Sequence, residues 1–174
     1  MFVPETHEDY FTLHNGVKVP PLAFGTFRLP ESDSTAELVR QAIETGYRHI
    51  DTASGYDNER AVGRGIRASG VPREEIFVTT KLNNPFHSAP EAKEQLRNSL
   101  DYLRTDYLDL WLIHWPVPVK NRGNWAEANA ETWTYFEEAL AEGLVRSIGV
   151  SNFLPHHIDS LMMSAKVLPD RKSV

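Results

Sequence analysis

Five short apolar runs alternate with five helix-patterned segments along this chain, roughly one pair every 30 residues. No other feature limits the fold as strongly. A chain that returns to the same sheet after a helix runs parallel to the strand it left, through a right-handed crossover. The runs lie at 22–25, 47–51, 76–81, 107–114 and 145–150. Segments 33–45, 58–68, 90–104 and 125–141 carry apolar residues at helical spacing, and a fifth helix is expected to start near Pro155. Leu38, Val39, Ala42 and Ile43 form one stripe. Ala92, Leu96, Leu100 and Leu103 form another. Ahead of the first run, His14-Asn15-Gly16 separates 11–13 from 17–19, and Asn-Gly between two β-type runs predicts a hairpin. The expected class is α/β in a single domain, 1–174. Its closure is either an open doubly wound sheet or a (β/α)8 barrel, and periodicity does not choose between them.

Composition removes several alternatives. Of the 174 residues, 41% are apolar and 24% charged, the balance of a globular chain large enough for a real core. A net charge of −6 argues against nucleic-acid binding, which calls for a basic face. The chain has no cysteine, which excludes disulfides, thiolate metal sites and a cysteine nucleophile. Residues 1–9 show neither a basic start nor an apolar run, so no signal peptide is expected and the cytoplasm is the default location. The most apolar stretch, 107–119, is interrupted by Asp109, His114 and two prolines and is too short to span a bilayer.

In parallel α/β folds, active sites collect at the C-terminal ends of the strands. Asp51 ends the second run and Tyr56 follows in its loop. Lys81 ends the third, His114 ends the fourth, and Ser151 and Asn152 follow the fifth. Taken singly, these residues have plain readings: a turn cap for Asp51, packing for Tyr56, a solvated end for Lys81, a satisfied core histidine for His114. Their recurrence at equivalent strand ends favours one shared site. Together they make an acid–base group. A phenol ordinarily titrates near 10, and a nearby ammonium is expected to lower it by about 1–3 units. Asp51 would keep Lys81 charged, and His114 would orient a carbonyl by hydrogen bonding. Such a set donates a proton to a carbonyl oxygen. The hydride has to come from a cofactor.

Other candidates carry less. Gly63-Arg64-Gly65-Ile66-Arg67-Ala68 fits a dinucleotide fingerprint in spelling but follows Asn58-Glu59-Arg60 rather than a strand, so its small residues are read as a close-packing face. His156-His157 are adjacent and do not share a helix face, so no metal is expected. Glu131, Glu137, Glu138 and Glu142 read as a solvated helix face, and Trp125 and Trp133 as packing.

The motifs resemble those of the aldo-keto reductases. The matching blocks are Gly25-Thr26-Phe27, then Gly46-Tyr47-Arg48-His49-Ile50-Asp51-Thr52-Ala53 with Tyr56 and Asn58-Glu59, then Thr80-Lys81-Leu82. Two more follow, Tyr107 through Pro116 and Gly143 through Phe153. The resemblance implies a TIM (β/α)8 barrel, here about its first five βα units after the N-terminal hairpin. It implies NADPH as cofactor, with NADH left open, and a small-molecule aldehyde or ketone as substrate. Tyr56 is then the proton donor, tuned by Asp51 and Lys81, with His114 orienting the carbonyl. Thr26, Asp51, Ser151 and Asn152 would serve the nicotinamide. Phe27, Tyr56, Asn83, His114 and Trp115 would line the substrate pocket, with Asn83 standing where many members have tryptophan. The last three barrel strands are not expected in this sequence. Open parallel edges at the first and fifth strands, uncovered apolar faces and self-association through those edges are therefore expected. An inactive remnant or interaction module is the alternative reading.

Overall fold

A computed structural model of the protein describes residues 10–169 and 172–173. Residues 1–9, and Asp170, Arg171 and Val174 of the polar tail, lie outside it, including the segment judged for a signal peptide. The expected hairpin is present: β1 (Phe11–Thr12) pairs antiparallel with β2 (Lys18–Val19). The main sheet follows, with β3 (Phe24–Gly25), β4 (His49–Asp51), β5 (Phe77–Leu82), β6 (Leu110–Ile113), β7 (Ile148–Ser151) and β8 (Lys172–Ser173). Every neighbouring pair is parallel, and the spatial order equals the sequence order. A doubly wound sheet reverses its order at a switch point. The unreversed order seen here is an arc of a (β/α)8 barrel.

The helices are α1 (Asp33–Glu44), α2 (Glu59–Ala68), α3 (Ala89–Leu103), α4 (Trp125–Ala141) and α5 (Pro155–Met162). Their starts follow local chemistry. The Ser32 hydroxyl accepts from the Thr35 amide at the head of α1. Ser88 caps the Glu91 amide and donates to the Glu91 carboxylate, with Pro90 in the first turn of α3. Gly63 and Gly65 are the close-packing face expected. A Cβ at Gly65 would stand 2.4 Å from the Ala36 carbonyl oxygen of α1, and one at Gly63 would stand 2.6 Å from that of Leu103 in α3.

Strand side chains alternate between two surroundings. Ile50, Val78, Leu82, Trp111, Ile113, Ile148 and Val150 face the helices and pack with Val39, Ile43, Val62, Leu96 and Phe136. Trp111 stacks flat on Phe136 with ring centroids 3.7 Å apart, locking β6 to α4. On the opposite face, Phe77, Leu110 and Leu112 pack against Val19 of the hairpin. Every side chain of β5, β6 and β7 is buried. This corrects two expectations. The apolar inner faces are covered rather than open, because the hairpin closes the N-terminal end of the arc. The fifth repeat's strand, β7, is not a sheet edge, because β8 pairs with it through Val150↔Lys172 and Ser151↔Ser173. The edges are β3 and β8.

At that same end the buried Asp109 carboxylate accepts from the Val78 amide at 2.9 Å and pairs with Arg73 and Arg146 at 2.9 Å each. The acidic residues of α4 are not all solvated as expected. Glu137 accepts from the Lys166 and Val167 amides at 2.6 and 2.8 Å, fixing the segment after α5. Among the described residues no helix is long and apolar enough to cross a membrane.

Candidate active site

The C-terminal ends of the strands carry the site, because the alternation that turns Phe77 and Thr79 inward also turns Lys81 inward one layer higher. Asp51 ends the neighbouring strand. Their side chains meet, with the Lys81 ammonium 2.6 Å from Asp51 Oδ1 and donating to the Thr52 carbonyl at 2.8 Å. Lys81 is 4% exposed and the Asp51 side chain 35%. The pair therefore stands at the floor of an opening rather than inside the core.

Tyr56 closes a single 3-10 turn, Ser54–Tyr56. Its ring lies 5.3 Å from Lys81 Nζ, 5.7 Å edge-on from the His114 ring and 5.0 Å from the Phe27 ring. The four predicted catalytic residues and Phe27 thus converge. The 3-10 turn is held by Ser54, whose hydroxyl donates to the Lys81 carbonyl at 2.9 Å and accepts from the Asn83 amide at 3.1 Å. The Asn83 side chain lies over Gly55, where a Cβ would stand 2.8 Å from Asn83 Oδ1. Phe27 and Trp115 are both exposed, at 63% and 48%, as residues at a mouth would be.

Electrostatics set the protonation states. Burial, then the positive charge of Lys81, pushes His114 down to about 4, so its ring is neutral at pH 7. It then offers one N–H donor and one acceptor nitrogen. Tyr56 departs from the expectation: burial first, and then the Asp51 carboxylate, raise its phenol above the ordinary value. The lowering predicted from Lys81 does not prevail, because burial of the phenol dominates and the Asp51 carboxylate acts in the same direction. The phenol is thus held in its protonated, donating form.

Ser151 and Asn152 sit at the end of β7. Asn152 adopts φ 62° and donates its Nδ2 to the His114 carbonyl at 2.8 Å and to Ser151 Oγ at 3.0 Å. Its amide oxygen keeps acceptor capacity, and a carboxamide could use it. Thr26 is different. It is fully buried, with its hydroxyl donating to Thr52 Oγ1 at 2.9 Å. Its side chain is committed inside the protein rather than turned to the mouth. Among the described residues no group of three or more His, Asp or Glu could hold a metal ion.

The aldo/keto reductase family model matches residues 21–171. The chain belongs to the aldo/keto reductase family. It is 48% identical to the 9,11-endoperoxide prostaglandin H2 reductase of Trypanosoma cruzi over 158 residues, covering 91% of this chain and 53% of that protein. It is 41% identical to the glyoxal reductase of Bacillus subtilis, covering 96% of this chain and 58% of that protein. Among solved structures, an aldo/keto reductase from Brucella melitensis superposes with a TM-score of 0.87 at 39% identity, over 94% of this chain and 61% of that one. An aldo-keto reductase of Bombyx mori in complex with NADP superposes at 0.82 with 41% identity, over 94% and 56%. The chain therefore spans little more than half the length of these aldo/keto reductases.

Asn58 and Glu59 carry no assigned role in the sequence, only a place in a matching block and ahead of the Gly63 motif. The structure gives both a place. Asn58 is fully buried, donates Nδ2 to the Thr26 and Leu29 carbonyls at 2.8 Å each, and accepts from Thr52 Oγ1 at 3.2 Å. Glu59 accepts from Thr80 at 2.6 Å and Ser99 at 3.0 Å. A polar pair at the start of a helix, two residues after a candidate acid, was the available signal.

Proposed function

We propose that this chain carries the proton-delivery group of a nicotinamide-dependent carbonyl reductase, NADPH being the expected cofactor and a small aldehyde or ketone the substrate. The convergence of Asp51, Tyr56, Lys81 and His114 at one strand-end opening carries the reading. The cofactor, when bound, supplies a hydride to the carbonyl carbon. The protein's own part is to bind, orient and protonate. Neutral His114 donates one hydrogen bond to the carbonyl oxygen and fixes its approach. As negative charge grows on that oxygen, Tyr56 passes its phenolic proton to it. The Lys81 ammonium, 5.3 Å from the ring, stabilises the phenolate left behind. Asp51 keeps that ammonium charged in its buried position. Phe27 and Trp115 shield the opening from water.

Ser151 and Asn152 suit the nicotinamide carboxamide, since the Asn152 amide oxygen keeps acceptor capacity at the end of β7. Thr26 suits it less, because its hydroxyl is already used.

Tyr56→Phe tests the reading. With NADPH and an aromatic aldehyde in excess, the substitution should lower the rate of cofactor oxidation by at least about 100-fold. Retention of the rate would remove Tyr56 from its role. A parent chain with no NADPH-dependent turnover would favour the interaction-module reading instead.

A further inference from the structure

We infer that Asn58 is a positioning residue of the reductase site: one buried amide clips the loop carrying Phe27 to the strand end carrying Thr52 and, through it, Lys81. The inference rests on the proposed function for its kinetic consequence but not for its geometry. The two Nδ2 bonds, to the carbonyls of Thr26 and Leu29, bracket Phe27 and Arg28 and hold both ends of that short loop. Oδ1 accepts from Thr52 Oγ1, and the carbonyl of the same Thr52 receives the Lys81 ammonium at 2.8 Å. Asn58 also lies two residues after Tyr56, beyond Asp57 in a left-handed conformation. Pocket wall, acid and cation are thereby referred to a single amide.

The physical case is one of geometry. Arg28 and Asp57 both hold positive φ, at 64° and 55°, a conformation that aspartate adopts readily but that arginine keeps only where its surroundings support it. Around Arg28 the two Nδ2 bonds of Asn58 supply that support together with the Leu29 amide, which donates to the Thr26 carbonyl at 3.1 Å. An apolar side chain at position 58 would leave the part-buried Leu29 carbonyl without the Asn58 donor and the Thr26 carbonyl with the Leu29 amide alone, and the loop would relax toward other conformations. Aspartate would keep the size but lose both donors, so the inference demands the amide.

The experiment compares the parent, Asn58→Ala and Thr52→Val. The valine removes the hydroxyl bond to Asn58 while keeping the side-chain volume. Asp109→Asn, a buried polar change at the opposite end of the strands, serves as the control for general destabilisation. The first readout needs no activity: the ultraviolet titration of the Tyr56 phenol, taken as the difference from Tyr56→Phe. Asn58→Ala should move that midpoint by about half a unit or more toward the ordinary value as the loop opens. Thr52→Val should move it less in the same direction, and Asp109→Asn should leave it in place. The second readout is kinetic. Asn58→Ala should raise KM for the aldehyde by about tenfold and lower kcat as well, while Asp109→Asn changes neither. An unmoved phenol titration in a folded Asn58→Ala protein overturns the inference. If that variant does not fold, an unmoved midpoint in Thr52→Val overturns it. Equal shifts in the Asp109→Asn control do so as well. A parent without turnover would defeat the reductase reading while leaving the titration to decide the role of Asn58.

Discussion

The ammonium of Lys81 stands 2.6 Å from Asp51 Oδ1, with the lysine nearly buried and the carboxylate about one-third exposed. The asymmetry sets what each substitution does. Asp51→Asn leaves a buried cation with the Thr52 carbonyl but without its counter-charge. Removing one partner of a fully buried pair costs about 3–5 kcal/mol. The partial exposure of Asp51 reduces this, and a loss of about 1–3 kcal/mol in urea unfolding at neutral pH is expected. The same variant should lower NADPH-linked aldehyde reduction by about 100-fold, because the ammonium that faces the phenolate loses the carboxylate that fixes its position. Unchanged unfolding and turnover would show that the contact does neither job.

Gly65→Ala tests the packing of α2 on α1. Alanine is the better helix former by about 1 kcal/mol. Yet its methyl would stand 2.4 Å from the Ala36 carbonyl oxygen and 2.6 Å from Val39 Cβ, and backbone cannot swing aside as a flexible side chain can. The clash should outweigh the propensity gain, giving a net loss of about 1–3 kcal/mol in thermal or urea unfolding. A stabilised variant would mean that the two helices sit farther apart.

The strands and helices were legible because burial on alternating faces leaves a written pattern. Residues 76–81 read as strand from their β-branched run, one residue ahead of the observed Phe77–Leu82, and the pairing of Lys81 with Asp51 followed from opposite charges at neighbouring strand ends. What the sequence concealed lies in long-range backbone contacts. The acceptors of the Asn58 Nδ2 group are main-chain carbonyls about thirty residues away, and a carbonyl has no residue type to read. The short strand β8 was hidden for a related reason. Lys172 and Ser173 make a two-residue strand, too short to write an apolar alternation. The direction of the Tyr56 shift was misjudged because charge type shows in a sequence, whereas the depth to which the phenol is buried does not.

Glu59 gives stability an unusual dependence on pH. Burial, opposed by its bonds to Thr80 and Ser99, raises its carboxyl from 4.5 to about 6. The folded state therefore holds this proton more tightly than the unfolded state. The contribution is fully present below pH 4.5 and is lost as pH rises through 6. The difference corresponds to about 2 kcal/mol. Glu59→Gln keeps both hydroxyl partners, one accepting and one donating once a hydroxyl turns, and removes the buried charge. It should stabilise the protein by about 1–2 kcal/mol at pH 8 and make no difference at pH 4. Equal stability of the two proteins at pH 8 would mean that the ionised carboxylate is accommodated without cost.

His87 works in the opposite sense over an overlapping range. It is 2% exposed in the loop between β5 and α3, and neither ring nitrogen has a hydrogen-bond partner among the described residues. Burial first, and then the charge of Lys120, push it from 6.5 down to about 4. The folded state thus prefers the neutral ring, while the unfolded chain takes up a proton near 6.5. The contribution of this neutral ring is present in full above pH 6.5 and is lost progressively as pH falls toward 4. The interval corresponds to at most about 3 kcal/mol. His114, lowered to about 4 by burial and by Lys81, has the same sign. Between pH 6 and 4.5 these two histidines weaken the fold on acidification while Glu59 strengthens it, and the two histidines together outweigh the single carboxyl. Stability should therefore fall from pH 6.5 to 4 in the parent. It should fall less in His87→Phe, which keeps a buried ring without a titrating nitrogen, and more steeply in Glu59→Gln, which removes the opposing group. Urea unfolding of the three proteins across that range measures each slope directly, and a His87→Phe curve parallel to the parent's would show that the ring is protonated within the fold without penalty.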